Sequence, residues 1–224
     1  MKREIIITGD GSTTIQIPEW NEQYHSKHGA IQEAYHVFIK HGLQYCYDYS
    51  QENKGISILE IGFGTGLNAF ITLIEAKKLN LNVNYSGVEA YPISKEEIKA
   101  LNYSKTLKEE NSEMLFQKLH ETTWDETHII TSSFELTKRK HFFSEIEDVE
   151  IHNLIYFDAF GARVQPELWT EKIFAIMYSA LKAKGVLVTY SAKGSVRRAM
   201  QAVGFIVERL PGPPGKREML RGIK

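Results

Sequence analysis

Cysteine occurs once in this chain of 224 residues, at Cys46, so no disulfide can form within it, and that usage fits a reducing compartment. Cys46 falls in a helical pattern and reads as a packed thiol. No apolar run approaches the roughly 20 residues that a membrane helix needs. The apolar part of the N-terminus, Ile5-Ile6-Ile7, is too short for a secretion signal, so a cytoplasmic protein with no membrane partner is expected. Internal repeats, low-complexity tracts and signs of a second domain are missing. A metal centre is not expected either. His25, His28, His36 and His41 lie close together, but their spacing matches no zinc pattern, and they read as groups lining a pocket or sitting on the surface.

What is present is an ordinary soluble composition, 42% hydrophobic and 25% charged, enough for one α/β domain with a sizeable core. The net charge of −1 hides an asymmetry. Ten basic residues stand against two acidic ones, Glu208 and Glu218, between Lys182 and Lys224, whereas acids outnumber bases between Lys95 and Glu150. A basic end on a neutral chain suggests a face for a polyanion.

The most informative stretch runs from Ile58 to Asn68. A short apolar run ends in Glu60, three glycines follow at alternate positions, and Leu67 to Leu79 has helical periodicity. That is a strand, a tight turn and a helix start, where a ligand can lie against backbone that carries no Cβ atoms. Leu67 stands where a dinucleotide fingerprint would place its last glycine. Glu60-x-Gly62-x-Gly64-x-Gly66 instead resembles motif I of class I S-adenosylmethionine methyltransferases. Val83 to Glu89 reads as the next strand, and Glu89 is placed to take both ribose hydroxyls of such a cofactor. His152 to Phe157 is a near-continuous apolar run, as expected of a buried parallel strand. It delivers Asp158-Ala159-Phe160-Gly161 to the carboxyl end of the sheet, where open α/β sheets bind ligands.

Around this centre, residues 3–17 read as a hairpin about Gly9-Asp10-Gly11-Ser12, and Ala30 to about Tyr49 as a helix. Asp48 to Gly55 reads as a polar link. Ser94 and Glu97 form a capping box for the helix that carries Ile98. Leu101 to Glu126 reads as helical with Met114, Leu115 and Leu119 on its apolar face, Ile129-Ile130 as the start of another strand, and Lys138-Arg139-Lys140 as a solvated run. A helix from Pro166 through Leu181, ended by Gly185, precedes a strand from Val186 to Tyr190 and a helix from Ser195 to Val203. Phe205 to Arg209 and Glu218 to Gly222, joined by a Pro/Gly loop, close the sheet as an antiparallel pair.

Several ordered blocks narrow the family: Gly29-Ala30-Ile31-Gln32-Glu33, Phe63-Gly64-Thr65-Gly66-Leu67-Asn68, Asp158-Ala159-Phe160 with Trp169, Val196-Arg197-Arg198, and Lys216-Arg217-Glu218-Met219-Leu220. Together they resemble the methyltransferase half of the tRNA methylaminomethyl-uridine biosynthesis protein MnmC and its stand-alone MnmD-like relatives. The resemblance implies a Rossmann-like class I methyltransferase, with a mostly parallel seven-stranded sheet ending in an antiparallel hairpin. It implies one domain over residues 1–224, with a hairpin and helix extension over 1–54 and the cofactor-binding core over 55–224. The implied activity is N-methylation of an aminomethyl group on the wobble uridine of tRNA, near the anticodon, with S-adenosyl-L-methionine as donor. The two-domain relatives add a flavin oxidase that is not expected in this chain, so another enzyme would make the aminomethyl substrate.

Within that reading Glu60, Gly62, Phe63, Gly64, Thr65, Gly66, Asn68, Glu89, Ala90 and Asp158 are expected at the cofactor. Asp158 is the expected proton acceptor, Phe160 the platform for a flipped base, and Lys193, Arg197, Arg198, Lys216 and Arg217 the phosphate contacts. Two other readings share some features. A spermidine-synthase-like aminopropyl transferase has the glycine turn and strand-end acids without needing the basic end. A non-catalytic RNA-binding domain on the same fold needs no cofactor.

Overall fold

A computed structural model describes residues 2–49 and 55–224. The polar link, and with it the division at residue 54, falls largely outside the described residues. Three short strands, β1 (Glu4–Ile7), β2 (Thr13–Ile17) and β3 (Glu22–Gln23), form an antiparallel sheet of their own. A helical run follows as α1 (Ala30–Ala34), a π-helical segment (Tyr35–Gln44) and α2 (Tyr45–Tyr49).

The main sheet is built around β4 (Gly55–Ile61), which pairs in parallel with β5 (Asn82–Val88) on one side and β8 (His152–Phe157) on the other. Ile58, Leu59 and Ile61 are fully buried because helices cover both faces of the strand. On one face lie the 30–49 helical run and α3 (Leu67–Leu79), whose residues from Leu67 to Ile74 are all buried. Buried on every side over its first two turns, α3 lies in an interior between sheet and helices, and only its end, at Lys77 and Lys78, reaches solvent. The opposite face is covered by α7 (Glu171–Ala180) and α8 (Gly194–Ala202).

Eight strands, not seven, make this sheet. β6 (Thr127–Thr131) and β7 (Phe134–Arg139) form a hairpin, and β9 (Leu181–Thr189), β10 (Ile206–Pro211) and β11 (Glu218–Ile223) complete the order β10-β11-β9-β8-β4-β5-β7-β6. The seven expected strands keep the expected arrangement, including the closing antiparallel pair. The strand expected to start at Ile129-Ile130 is β6, an antiparallel edge, and the eighth strand is β7, which lies in the stretch whose charges obscure its period. Strand order reverses between β4 and β8, which opens a crevice at their carboxyl ends.

Three sequence-based expectations are corrected. The helical stretch after Leu101 splits into α5 (Tyr103–Leu107) and α6 (Ser112–Glu121), because Lys108 and Asn111 turn the chain through left-handed backbone at φ 52° and 58°. Phe116 and Leu119 carry its packing, while Met114 is exposed. The helix expected from Pro166 begins as a 3-10 turn (Pro166–Trp169), and α7 yields to β9 at Leu181, so Gly185 lies inside a strand and does not end the helix. The capping box of α4 (Lys95–Ala100) is formed as the sequence predicts.

The third correction is energetic. Only Lys140 of the basic run at 138–140 is exposed. Lys138 is 2% exposed, its ammonium donates to the His120 carbonyl at 2.9 Å, and burial pushes its pKa down to about 8. Arg139 holds Asp148 through two bonds of 3.0 and 2.6 Å, and Asp148 lies 2.8 Å from His152 Nε2. Burial works against ionisation of Asp148, but the His152 and Arg139 contacts outweigh it and hold the carboxyl below its ordinary range. A depressed carboxylate stabilises the fold above its unfolded pKa, about 4, and that stability is lost as pH falls. Asp148→Ala is therefore expected to destabilise the protein by about 2 kcal/mol at pH 7. In urea titrations the gap to the unsubstituted protein should close below about pH 4.

Candidate active site

The crevice at the ends of β4, β5 and β8 is a cavity of about 1250 Å³. Its floor is the glycine turn. Gly62, Gly64 and Gly66 all have left-handed backbone, at φ 91°, 48° and 71°. A Cβ on Gly62 would stand 2.8 Å from the Asp158 carbonyl oxygen, and one on Gly64 would stand 3.0 Å from the Tyr24 ring. Only glycine leaves that backbone bare. The Gly62 and Phe63 amides both donate to the Val88 carbonyl at 3.0 Å, which ties the turn to the end of β5.

Beneath the turn Thr65 is braced on three sides. Tyr103 donates to its hydroxyl at 3.2 Å, His25 Nε2 lies 3.4 Å from the same oxygen, and His120 Nε2 lies 3.1 Å from its carbonyl. Burial pushes both imidazoles down to about 4, so they brace the turn as neutral rings at pH 7. Of the four clustered histidines, His25 and His28 line the cavity. His36 and His41 pack against each other elsewhere, with His36 2.8 Å from the Pro211 carbonyl.

Carboxylates ring the turn. The Glu89 carboxylate accepts from the Gly64 amide at 3.1 Å and the Tyr91 amide at 2.9 Å, and burial pushes its pKa up against those two bonds. Asn68 is buried and uses one amide nitrogen to bridge Glu60 Oε1 at 2.9 Å and Asp158 Oδ2 at 2.8 Å. Glu60 is fully buried, its Oε2 has no hydrogen-bond partner among the described residues, and burial drives its pKa well upward. Asp158 is pushed up to about 7 by burial and then by the Glu33 carboxylate, with the Asn68 bond and Lys216 opposing. A carboxyl poised near neutrality can exchange a proton at physiological pH.

The outer wall is aromatic. Trp20 and Tyr24 meet the Phe160 ring edge-on at 5.6 and 4.9 Å, and the Tyr190 hydroxyl donates to the Ala159 carbonyl at 2.8 Å.

This geometry sorts the predicted residues. Gly62, Gly64, Glu89, Ala90, Asp158, Phe160, Lys193 and Lys216 line the cavity. Glu60, Thr65, Gly66 and Asn68 stand behind it as supports, and Phe63 turns its ring inward against Gly87. Arg198 and Arg217 are exposed outside it, and Arg197 is partly buried on α8. Lys216 points inward, paired with Glu33 at 2.5 Å.

The family model of an S-adenosyl-L-methionine-dependent methyltransferase matches residues 109–224, just over half of the chain. The chain belongs to that methyltransferase family. Its cofactor is S-adenosyl-L-methionine, and the site fits it: a bare backbone turn for a close approach, and a strand-end carboxylate, Glu89, beside it. Of the methyltransferase's relatives, one named as the tRNA 5-methylaminomethyl-2-thiouridine biosynthesis bifunctional protein MnmC, from Hydrogenovibrio crunogenus, is 26% identical over 91% of this chain and 31% of its own length. The chain spans about a third of the length of the curated relatives it matches. The crystal structure of MnmC2 from Aquifex aeolicus superposes with a TM-score of 0.81 at 25% identity, covering 99% of this chain and 69% of that one. Spermidine synthase from Thermotoga maritima shares the fold at a TM-score of 0.57 and 14% identity, over 99% of this chain and 68% of its own.

Sequence reasoning missed the acid and rings that complete the cavity: Glu33, Tyr24, Trp20 and Tyr190. Glu33 carried a signal. It shares a helical stripe with Ala30, Ala34 and Val37, all buried, and an acid on such a stripe needs a partner inside. The aromatics are scattered along the chain and only the fold gathers them.

Proposed function

We propose that this methyltransferase N-methylates the aminomethyl group of 5-aminomethyl-(2-thio)uridine at the wobble position of tRNA. The observation that carries this reading is Asp158, which lines the same cavity as the glycine turn with a carboxyl poised near neutrality. The names of the MnmC relatives support the substrate, as does the basic end of the chain.

When bound, S-adenosyl-L-methionine supplies a sulfonium methyl that a neutral amine takes in line. Gly62 and Gly64 would hold it against bare backbone, and Glu89 and Ala90 would border its ribose side. Glu60 and Asn68 keep the turn and Asp158 in register. An alkylammonium has a pKa of about 10.4, so Asp158 would bind the ammonium and take its proton before attack. Moving that proton to an ordinary carboxylate costs about 9 kcal/mol, whereas moving it to one at about 7 costs about 5 kcal/mol. Phe160, backed by Trp20 and Tyr24, would stack on the flipped base. Lys193, Arg198 and Arg217, all exposed, would meet phosphates, with Arg197 behind them on α8.

The deciding experiment is mass analysis of nucleosides in tRNA from a strain lacking this gene. Accumulated aminomethyl-uridine, converted by the purified protein with S-adenosyl-L-methionine, is the expected result; an unchanged nucleoside profile, or transfer to putrescine in place of tRNA, would refute it. For the interface, Arg198→Glu combined with Arg217→Glu should weaken tRNA binding and flatten its dependence on salt by about two phosphate contacts, with cofactor affinity unaltered. Filter binding from low to moderate salt measures both.

A further inference from the structure

A partly buried ion pair, Glu33 with Lys216, lines the same cavity as Asp158. Glu33, on α1, is 6% exposed, and it accepts from the Ser26 amide at 2.7 Å and from Lys216. Lys216 arrives from the loop joining β10 and β11, which is 183 positions away in sequence. Its ammonium also lies 3.8 Å from the centre of the Tyr190 ring, a cation–π contact. Tyr190 in turn is bonded to the Ala159 carbonyl, one residue beyond Asp158. The chain of contacts thus runs from α1, through the loop and the end of β9, to the backbone of the β8 loop.

The loop is held in this place by more than the pair. It is folded on itself by bonds from the Gly212 amide to the Arg217 carbonyl, 3.1 Å, and from the Lys216 amide to the Pro213 carbonyl, 2.9 Å. Gly215 has φ 84°, and a Cβ there would overlap the His28 ring. The loop and the N-terminal extension therefore meet at the cavity, with Glu33 and Lys216 both on its lining.

We propose that the Glu33–Lys216 pair is a positioning device for Asp158: it clamps the β10–β11 loop to the N-terminal extension across the cavity, and its charges govern how readily Asp158 takes a proton. This rests on the reading of Asp158 as proton acceptor. The charged and titratable groups facing Asp158 come from every side. Glu33 and Lys216 share its cavity and act on it through their charges. Glu60 stands behind it on β4, with Glu89 beyond Glu60 at the end of β5, and Tyr85, Tyr103 and Tyr190 are the neighbouring phenols. All three phenols are held protonated by burial, and burial also opposes ionisation of Glu60 and Glu89, so Glu33 and Lys216 are the pair whose charges act on Asp158. Glu33 resists ionisation of Asp158 and Lys216 favours it, so neutralising either one alone moves Asp158 in opposite directions.

The test is the pH dependence of kcat/KM with tRNA carrying unmethylated aminomethyl-uridine, whose low-pH limb reports the free enzyme's base. Glu33→Gln should move that limb down by about one pH unit, and Lys216→Met should move it up, since Glu33 resists ionisation of Asp158 and Lys216 favours it. Lys216→Arg should restore it. Cofactor affinity, measured by calorimetry, should stay within about twofold in all three, because the pair touches neither the glycine turn nor Glu89. A limb unmoved in both Glu33→Gln and Lys216→Met would overturn the inference even if rates fall; should Glu33→Gln fail to fold, Lys216→Met against Lys216→Arg decides alone. Asp158→Asn separates the two readings: a wild-type limb in that variant defeats the assignment of Asp158 itself, whereas its loss, with the limb fixed in the pair variants, defeats only the role of the pair.

Discussion

Asp158→Asn is expected to reduce turnover by about 10²–10⁴-fold while making the unliganded protein more stable at pH 7. The loss follows from removing a cavity carboxyl whose protonation lies near neutrality. The gain follows from linkage. In the unfolded chain Asp158 loses its proton near 3.8, and in the fold near 7, so between those values the native state binds more protons and stability falls as pH rises. Below pH 4 both states are protonated and the difference vanishes. The gain at pH 7 is bounded at about 4 kcal/mol by the separation of the two values. An amide of the same shape can still accept from Asn68, so the bridge to Glu60 persists. Thermal melts from pH 4 to 8 should therefore show a shallower decline in the variant, with a residual slope from Glu60 and Glu89, whose pKa values burial also raises. Equal slopes would mean that Asp158 is ionised at neutrality like any surface carboxylate. The opposition of activity and stability is expected where a site keeps a strained charge for its chemistry.

Gly62→Ala is expected to lower kcat/KM by at least about 100-fold, equivalent to about 2.7 kcal/mol, and to destabilise the fold by about 1–3 kcal/mol. Two penalties meet at this residue. Its φ of 91° suits no side chain, and the added methyl would stand 2.8 Å from the Asp158 carbonyl oxygen. That neighbour is backbone and cannot swing aside, so the turn and the loop bearing Asp158 must separate. Cofactor binding and base placement fail together. Gly55→Ala, at the start of the strand that leads into this turn, is the control, since a Cβ there meets nothing within 4 Å. Calorimetry of cofactor binding and urea unfolding on both variants measure the contrast, and a Gly62→Ala protein that binds the cofactor normally would remove the turn from the site.

The elements that sequence reading located well are those whose signal is local. The glycine spacing after Ile61 demands a turn that only left-handed backbone makes, and all three glycines adopt it. The near-continuous apolar run at 152–157 calls for burial on both faces, and it is β8 beside β4. A Pro/Gly-rich connection between two short apolar segments produces the closing pair β10 and β11. Of the outer hairpin, β6 showed itself at Ile129-Ile130, but β7 was obscure because Lys138 and Arg139 break its apolar pattern with charges whose partners lie elsewhere in the chain.

By itself, then, the sequence determined the turn, the acids at the strand ends and the class of ligand they suit, since backbone conformation and strand burial follow from neighbouring residue types. Where each charge goes was decided only by the tertiary structure. Lys216 reads as a surface cation and is drawn inward by Glu33; Lys138 reads as solvated and is buried against the His120 carbonyl. A charge leaves water only if a partner is supplied through space, and in a folded chain that partner comes from residues no local pattern connects.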